Sequence, residues 1–401
     1  MTSEWHEVPL RELVGYISKG IAPSYAEEAS ESTIRVLNQK CNRNFRISYG
    51  DSRLHDTRKK KVPPERYVKP DDILINSTGA GTAGRIAQIE DVPSATTIDG
   101  HMILIRSNGK VTQKFLGYAL KAHQWEVLQL DEGSTGQTEL NRDRLLDEIM
   151  INYPVSLDEQ NAIVGTLESI DRKLIVNEQL NDNLEQQAQS YFQELFVDNA
   201  DPEWAIGTIS DLGTVVGGST PSKAKPEYYT ESGIAWITPK DLSINKSKFV
   251  SHGENDITEL GLKNSSAAIM PRGTVLFSSR APIGYIAIAA GEVTTNQGFK
   301  SVVPKPEIGT PFVYFFLKNT LPVIEGMASG STFKEVSGST MKNVSAVIPD
   351  AETLAKFSDF CAPIFAQQRI LEEQNQSLAT LRDNLLPKLM SGEIDVSAVQ
   401  L

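Results

Sequence analysis

The sequence runs through the same order of signals twice, once in residues 4–196 and again in residues 203–389. Each copy opens with Glu-Trp and soon reaches a proline turn, Ala22-Pro23-Ser24 in the first and Thr220-Pro221-Ser222 in the second. Each then has an apolar run ending in small polar residues, followed by Gly-x-Ile, Thr-Thr-x-x-Gly, Gly-Ser-Thr, an x-Pro stop and a long amphipathic segment. Because only two copies occur, the pattern predicts a tandem duplication of a domain followed by a helix, and not a solenoid. Two equivalent binding units in one chain suit a target that has two parts.

The net charge of −12 argues against a nucleic-acid partner until it is divided along the chain. Residues 156–199 hold 2 basic and 9 acidic residues, so much of the acidity belongs to a predicted helix. Residues 35–69 hold 11 basic and 3 acidic residues, a net charge of +8. Such a segment can neutralise several phosphates, although a solvated basic loop would have the same composition.

The composition indicates a reduced, cytoplasmic, globular protein. The first residues lack the basic start and apolar core of a secretory leader, and no apolar stretch approaches the length needed to cross a bilayer. The two cysteines, Cys41 and Cys361, lie in different halves, and neither has a second ligand pair nearby. We therefore expect neither a disulfide nor a metal site.

The predicted architecture belongs to the α+β class and has four segments. Residues 1–155 and 200–350 are two mixed α/β domains, in which short strands at 72–76, 101–106, 235–238, 274–278, 285–289 and 301–303 form an antiparallel sheet. Helices are expected at 114–130 and 311–325, in matching places. Residues 156–199 and 351–401 are the two long helical segments.

The long helices carry an apolar seam at alternating three- and four-residue steps, which is typical of a coiled coil. Ser156 and Glu159 form a capping-box pattern that starts the first helix, and Pro387 is expected to stop the second. If a pseudo-two-fold axis relates the halves, the helices pair antiparallel within the chain; pairing between chains is the alternative. A seam of this length spans roughly 48 Å, which corresponds to about 14 base pairs of DNA. The predicted seam residues are Ile163, Leu167, Ile170, Leu174 and Leu184 in the first helix, and Ile364, Leu371, Leu378, Leu381 and Leu385 in the second.

Catalytic motifs are largely missing. Residues 79–84, Gly-Ala-Gly-Thr-Ala-Gly, match the spacing of a dinucleotide-binding loop, but a second strand is predicted after them where that site requires a helix. We therefore expect a glycine-rich hairpin. The five histidines show no metal-ligand spacing, and the sequence indicates a binding protein rather than an enzyme.

The second half carries motifs that resemble a known family. Gly217-Gly218-Ser219-Thr220-Pro221-Ser222, Trp236-Ile237-Thr238-Pro239-Lys240 and Thr294-Thr295-Asn296-Gln297-Gly298 are similar to target-recognition domains of type I restriction–modification specificity subunits. The closing Leu385-Leu386-Pro387-Lys388-Leu389 is also similar to that family. The likeness covers the whole chain through the order domain, helix, domain, helix, but the first half departs from the motifs at residues 34–39.

The resemblance implies a DNA-binding specificity subunit that is not itself catalytic. Each recognition domain would read one half of a bipartite double-stranded DNA target, and the helices would set the spacer. The helices would also dock two methyltransferase subunits and, through them, the restriction subunits. S-adenosylmethionine, ATP and magnesium would be held by those partners, and this chain would bind no cofactor, metal or membrane. The competing reading is a coiled-coil scaffold whose globular domains bind other proteins.

Base reading requires directional donors and acceptors, whereas hydroxyl groups, lysines and backbone amides hold phosphates. The predicted DNA-contacting residues of the first half are Arg43, Arg46, Arg58, Lys59, Lys60, Asn76, Thr78, Ser134, Thr135, Gln137 and Asn141. Those of the second half are Ser219, Thr220, Ser222, Lys223, Thr238, Lys240, Ser279, Arg280, Asn296, Gln297, Ser331 and Lys334. Trp236 is expected to belong to the core.

Overall fold

The computed structural model describes residues 4–132, 138–330 and 334–396. Within these ranges the chain forms two compact units. Unit 1 is drawn from Met1–Leu174 and Leu378–Leu401, and unit 2 is Ile175–Ser377. Each unit therefore combines one globular part with one portion of each long helix. The four predicted segments instead treat each long helix as a segment of its own.

The globular part of unit 1 contains two four-stranded sheets, in the orders β2-β11-β8-β9 and β10-β4-β7-β3. All neighbours pair antiparallel except β10 with β4. A separate ribbon joins β1 to β14, which brings the two ends of the globular part together. The strands are β1 (Trp5–Pro9), β2 (Val14–Lys19), β3 (Tyr25–Ala26), β4 (Thr33–Leu37), β5 (Asn42–Arg43), β6 (Arg46–Ile47), β7 (Arg53–Asp56), β8 (Ile73–Asn76), β9 (Ile86–Gln88), β10 (Thr96–Ile98), β11 (Met102–Ser107), β12 (Asp131–Glu132), β13 (Glu139–Leu140) and β14 (Met150–Pro154). The helices are α1 (Gln113–Ala122), α2 (Gln124–Leu128) and α3 (Arg142–Glu148).

Unit 2 repeats this topology. Its sheets have the orders β16-β24-β21-β22-β19 and β23-β18-β20-β17, and the ribbon β15-β25 corresponds to β1-β14. The parallel pair β23-β18 stands where β10-β4 stands in unit 1, and β19 is an additional strand. The strands are β15 (Ala205–Thr208), β16 (Gly213–Gly217), β17 (Tyr229–Thr230), β18 (Ile234–Ile237), β19 (Phe249–Val250), β20 (Asn255–Ile257), β21 (Val275–Ser279), β22 (Ile283–Ala289), β23 (Thr294–Thr295), β24 (Lys300–Pro304) and β25 (Ser345–Ile348). The short helices are α5 (Ile209–Leu212), α6 (Pro239–Ile244), α7 (Glu259–Lys263), α8 (Thr310–Gly326) and α9 (Gly338–Lys342).

These elements confirm the predicted duplication and the α+β class. Every predicted strand is present within one or two residues at each end. The predicted helix at 114–130 is divided into α1 and α2, because a non-helical break occurs at His123 between them. The helix predicted at 311–325 is α8.

The two long helices are α4 (Leu157–Gln193), which ends in a π-helical turn at Glu194–Asp198, and α10 (Ala351–Met390). In unit 2, the side-chain amide of Asn177 donates to Asn375 Oδ1 at 2.8 Å, and Tyr191 lies against Phe360 with ring centroids 4.5 Å apart. Higher numbers on α4 thus meet lower numbers on α10. This pattern confirms antiparallel pairing of the two helices within the chain.

Most predicted seam residues are buried or half-buried. Leu381 is the exception, because its side chain is 41% exposed. Arg382 takes the inward position there, since its guanidinium lies 3.0 Å from Asp171 Oδ1 on α4. The prediction that Pro387 stops the second helix is also wrong. The helix continues to Met390 because Leu389 and Met390 are buried in the core of unit 1.

In unit 1 a buried carboxylate ties α4 to the globular part. Asp171 on α4 accepts a hydrogen bond from the Tyr118 hydroxyl at 2.9 Å and pairs with Lys121 at 3.2 Å, both from α1. Arg382 of α10 completes the cluster. Burial alone would raise the pKa of Asp171, but the two cations and the hydroxyl group outweigh it and hold the pKa below its usual value.

Unit 2 has a similar cluster around Glu185 of α4. Its two carboxylate oxygens lie 2.5 Å from Lys248 Nζ and 2.5 Å from Lys318 Nζ. Lys248 is also 2.7 Å from the side-chain oxygen of Gln368 on α10. Burial would raise the pKa of Glu185, yet the ammonium groups hold it below the usual value.

The two clusters predict acid-sensitive stability. Because Asp171 and Glu185 have folded-state pKa values below their unfolded ones, their contribution is present above the unfolded values of about 3.9 and 4.3, respectively. It is lost as the pH falls through the lower folded values. Urea unfolding between pH 3 and 7 should therefore show the wild type losing stability below about pH 4. The double variant Asp171→Asn/Glu185→Gln should lose less over that range, and parallel profiles for the two proteins would contradict this assignment.

Candidate nucleic-acid interface

Three segments that are distant in the sequence of unit 2 meet on one surface, here named patch 2 (residues 217–223, 238–241 and 294–297). Gly218 approaches the backbone so closely that an added Cβ would lie 2.0 Å from Asn296 O, so no larger residue fits there. The next amide, Ser219 N, donates to Thr295 O at 2.8 Å. Trp236, which is 5% exposed and therefore in the core as predicted, donates from its indole nitrogen to Ser219 O at 2.9 Å. The Gly-Ser-Thr-Pro loop is thus anchored by its backbone, with its side chains left at the surface.

Several predicted contact residues of patch 2 are accessible. Ser222 and Lys223 are exposed at the end of the proline turn, and Gln297 is exposed on the neighbouring loop. The Thr220 hydroxyl donates to the Gln297 side-chain oxygen, which ties the two loops together. Asn296 is half-buried, and its side-chain oxygen accepts from Gly298 N at 2.8 Å. The exposed lysine and amide groups have the chemistry that phosphate holding and base reading require.

Two further predicted residues of patch 2 have structural partners. Thr238 is the N-cap of α6, and its hydroxyl lies 2.6 Å from Asp241 Oδ2 in a capping box. Lys240 is exposed and pairs with Glu254 at 2.6 Å. Exposed ion pairs are weak, so this contact leaves the Lys240 ammonium available to a phosphate. Thr238 mainly stabilises the first turn of α6.

Asn76 and Ser279 are fully buried, which contradicts the prediction that they contact DNA. Each is the last residue of a central strand, β8 or β21, and its side chain points into the protein. Asn76 donates to Gln39 O at 3.2 Å, and the Ser279 hydroxyl donates to Gly298 O at 3.1 Å. Small polar residues at a strand end gave the same sequence signal whether they faced inward or outward.

Arg280 lies beside a groove of about 630 Å³, here named groove 2. Its guanidinium is 3.5 Å from Glu335 Oε2, and the other oxygen of Glu335 is 3.5 Å from Lys300 Nζ. The exposed Lys334 lines the same groove. Of the two cations that line groove 2, Arg280 is therefore paired with a carboxylate.

The first half places its basic residues on a loop fixed by a buried histidine. His55 Nδ1 accepts from Ser24 N at 2.9 Å, and His55 Nε2 is 2.7 Å from Lys60 O. Lys60 donates from Nζ to Ala22 O at 2.9 Å, so the basic run is held against the proline turn. Lys59 is exposed beside it.

The remaining described predictions of the first half vary in accessibility. Arg58 is 74% exposed and lies 3.4 Å from Asp56, and Arg46 is half-buried in β6. The Thr78 hydroxyl is 2.8 Å from His101 Nδ1. Asn141 is the N-cap of α3, where its side chain accepts from two backbone amides. The predicted residues Ser134, Thr135, Gln137 and Ser331 lie outside the described residues.

A short hairpin in unit 1 forms one wall of a second groove, here named groove 1, with a volume of about 530 Å³. The hairpin joins β5 to β6 through Asn44 and Phe45, which have φ angles of 53° and 61°. Asparagine tolerates this left-handed conformation, but for phenylalanine it costs about 1–3 kcal/mol. Packing of the Phe45 ring against the core of unit 1 helps to retain it.

Groove 1 contains Arg43, one of the predicted DNA-contacting residues, together with two cations that were not among them, Lys40 and Arg85. Lys40 belongs to the basic segment 35–69, and the positive charge of that segment could have marked it as a candidate. Arg85 comes from the glycine-rich turn and gave no signal, since it reaches the hairpin only through tertiary structure. That turn, with left-handed Gly79, Gly81 and Gly84, joins the antiparallel strands β8 and β9, as the hairpin prediction required.

Among the described residues, no group of three or more His, Cys, Asp or Glu side chains is arranged to hold a metal ion. In the same part of the chain, no helix is both long and apolar enough to cross a bilayer.

Comparison with known proteins identifies the repeated unit. The profile of the type I restriction modification DNA specificity domain matches residues 2–186 and again residues 202–381. The chain is 39% identical over 194 residues to the type I restriction enzyme MjaIX specificity subunit of Methanocaldococcus jannaschii, covering 46% of this chain and 45% of that protein. It is 27% identical over 194 residues to the HindI specificity subunit of Haemophilus influenzae, covering 48% and 42%. The matched region thus spans about half the length of these curated relatives.

A solved structure supports the fold over nearly the whole chain. The type I restriction–modification system S subunit from M. genitalium superposes with a TM-score of 0.60 and 18% sequence identity. The match covers 97% of this chain and 99% of that one. At this identity the likeness establishes the fold alone.

Proposed function

The chain belongs to the type I restriction–modification DNA specificity family, and on that premise we propose that it selects a bipartite DNA sequence for a modification and restriction complex. Each globular part reads one half of the target. The two long helices, which both run through unit 1 and unit 2, set the number of unread base pairs between the halves. The chain performs no catalysis itself.

One observation carries this proposal. The two globular parts share one topology, and each has exposed basic or amide side chains on the loops around its proline turn. In unit 2 these are Lys223 and Gln297, and in unit 1 they include Lys59. Arginine, lysine and amide side chains supply both the phosphate contacts and the directional hydrogen bonds that reading a base edge requires.

The acidic helices suit protein partners better than DNA. Residues 156–199 hold 9 acidic and 2 basic residues, a composition that would repel phosphates. We therefore assign to the helix pair the docking of two methyltransferase subunits, through which restriction subunits join. S-adenosylmethionine, ATP and magnesium belong on those partners in this scheme, and the complex works in the cytoplasm.

A binding-site selection tests the function. The chain, purified with its co-encoded partners, is incubated with a library of random duplexes, and the bound fraction is sequenced. The proposal expects two short specified segments separated by an unspecified spacer of constant length. A protein-binding scaffold would enrich no sequence, and that result would overturn the proposal.

Variants of Lys223 and Arg280 should distinguish a phosphate contact from recognition of a base in unit 2. Lys223→Ala should weaken binding equally on all duplexes and lower the salt slope by roughly one unit, because it removes one phosphate contact. Arg280→Ala should cost about 1–3 kcal/mol on the cognate sequence and relax the preference at one base position. Binding curves on cognate and single-mismatch duplexes at two salt concentrations measure both effects.

Arg280→Lys is the matched control, since it keeps the charge and loses the planar fork. It should preserve the salt slope while relaxing the same base position. If Arg280→Ala weakens every duplex equally, Arg280 holds phosphate, and if binding does not change, its pairing with Glu335 is only structural.

A further inference from the structure

Groove 1 and groove 2 occupy related places in the repeated fold but differ in charge. Each lies against the turn that joins two neighbouring strands, β8 to β9 in unit 1 and β21 to β22 in unit 2. Among the described residues, groove 1 is lined by three cationic side chains, Lys40, Arg43 and Arg85, and by no carboxylate. Groove 2 is lined by two cations and also by two carboxylates, Glu325 and Glu335. The groove thus has a related position in both repeats, but the charge of its lining differs between them.

The cations of groove 1 are held together by a buried amide. The Asn42 side chain, 1% exposed, donates to Arg85 O at 2.8 Å and to Asn76 Oδ1 at 3.2 Å. The first bond fixes the hairpin to the glycine-rich turn. Arg43, which follows Asn42, is therefore kept beside Arg85 although the two are distant in the sequence.

These cations are also available to a ligand. The Arg43 side chain is 66% exposed, and the carboxylate that pairs with it, Asp51, is 3.9 Å away. Arg85 is exposed and donates to the backbone oxygen of Gly81 at 3.2 Å. Lys40 is exposed and makes no side-chain hydrogen bond or ion pair with the part of the chain that the structure describes. In groove 2 the pairing is closer, since Glu335 Oε2 lies 3.5 Å from the Arg280 guanidinium.

From this difference we propose that groove 1 binds the sugar–phosphate backbone of the DNA strand at the first half-site, and that unit 1 contributes more of the electrostatic affinity than unit 2. The inference rests on the proposed function and adds that two equivalent folds contribute unequally to the electrostatic part of DNA affinity. Lys40, Arg43 and Arg85 neutralise successive phosphates and release counterions, which strengthens binding without regard to sequence. The charge-balanced groove 2 releases fewer.

The salt dependence of DNA affinity tests the proposal in the complete complex. Each phosphate contact contributes roughly 0.9 to the slope of log K against log salt concentration. Arg43→Ala/Arg85→Ala should therefore lower the slope by about 1.8 and weaken cognate and scrambled duplexes equally. Arg43→Lys/Arg85→Lys should restore the slope, because the slope depends on the number of phosphates neutralised and lysine keeps the positive charge.

Arg11→Ala/Lys110→Ala is the matched control, since it removes two exposed positive charges from unit 1 that lie outside the groove and off the long helices. It should leave the slope unchanged, and Arg280→Ala/Lys334→Ala in groove 2 should lower the slope by less than the groove 1 pair does. An unchanged slope for Arg43→Ala/Arg85→Ala, in a protein with wild-type thermal unfolding, would overturn the inference. So would an equal loss from the two groove variants.

Competition identifies the source of the phosphate. Millimolar inorganic phosphate or deoxyadenosine monophosphate should displace DNA no better than sodium chloride of equal ionic strength, because the three cations act along a strand. Stronger displacement that disappears in Arg43→Ala/Arg85→Ala would show a site for free phosphate or nucleotide and would contradict a DNA strand as the occupant. If the wild-type complex shows no sequence preference at all, the proposed function fails; if only the slope prediction fails, groove 1 alone is misassigned.

Discussion

Replacing Glu185 with alanine is expected to lower the free energy of unfolding of unit 2 by about 3–5 kcal/mol, since it leaves buried positive charge without a partner. The Lys248 side chain is only 6% exposed, and its ammonium lies 2.5 Å from the Glu185 carboxylate. Lys318, on α8, pairs with the same carboxylate at 2.5 Å. Urea-induced unfolding followed by circular dichroism measures the loss, and a lower stability with an unchanged m-value would show that the native state is the one affected.

Two companion variants separate loss of charge balance from loss of packing. Glu185→Gln keeps the shape and some hydrogen bonding, so it should destabilise unit 2 by less than alanine. Glu185→Leu/Lys248→Met removes the main pair together, and replacing a buried ion pair by apolar groups is often neutral or stabilising. This double variant should recover much of the stability. If it is as unstable as Glu185→Ala, the cost comes from packing and not from an unpaired buried charge.

Glu185 links α4 to the globular part of unit 2, which is the proposed reader of the second half-site. Lys248 immediately precedes β19, whose first amide, Phe249 N, donates to Glu372 of α10 at 3.1 Å. Lys318 belongs to α8, which packs in the core of unit 2. The second globular part is therefore fastened to both long helices by charged groups, and we expect loss of this cluster to loosen the reading surface before the helix pair itself opens.

The architecture was largely predictable because it depends on patterns that run over many residues. Ile163, Leu167 and Ile170 belong to a seam that repeats along the helix. The pattern stays recognisable even when one position departs from it. The seam failed at Leu381, where the pairing of Arg382 with Asp171 turned a polar residue inward. Periodicity cannot anticipate this, because a buried ion pair depends on a partner that is distant in the sequence.

The candidate contact surface was less predictable because it depends on which way single side chains point. Asn76 and Ser279 have the composition of surface readers but are buried at strand ends. Arg85 was missed because it joins Arg43 only when the hairpin folds against the glycine-rich turn. By contrast, Ser222 and Lys223 are exposed, since a proline turn exposes the residues that follow it, and their DNA contact stays a prediction.

The second large effect concerns which globular part reads which half of the DNA target. Replacing residues 200–350 with the corresponding part of another family member should change one half of the selected DNA sequence completely and leave the other half and the spacer unchanged. The reason is that every described sheet takes its strands from one globular part alone. The chimera should keep Lys248, Tyr314 and Lys318 of this chain, so that the cluster around Glu185 survives the exchange.

Sequencing the duplexes that this chimeric complex selects, beside those selected by the wild type, tests the two-reader account most directly. The account predicts one shared half-site, one new half-site and the same number of unread base pairs between them. A change in both half-sites, or in neither, would contradict it.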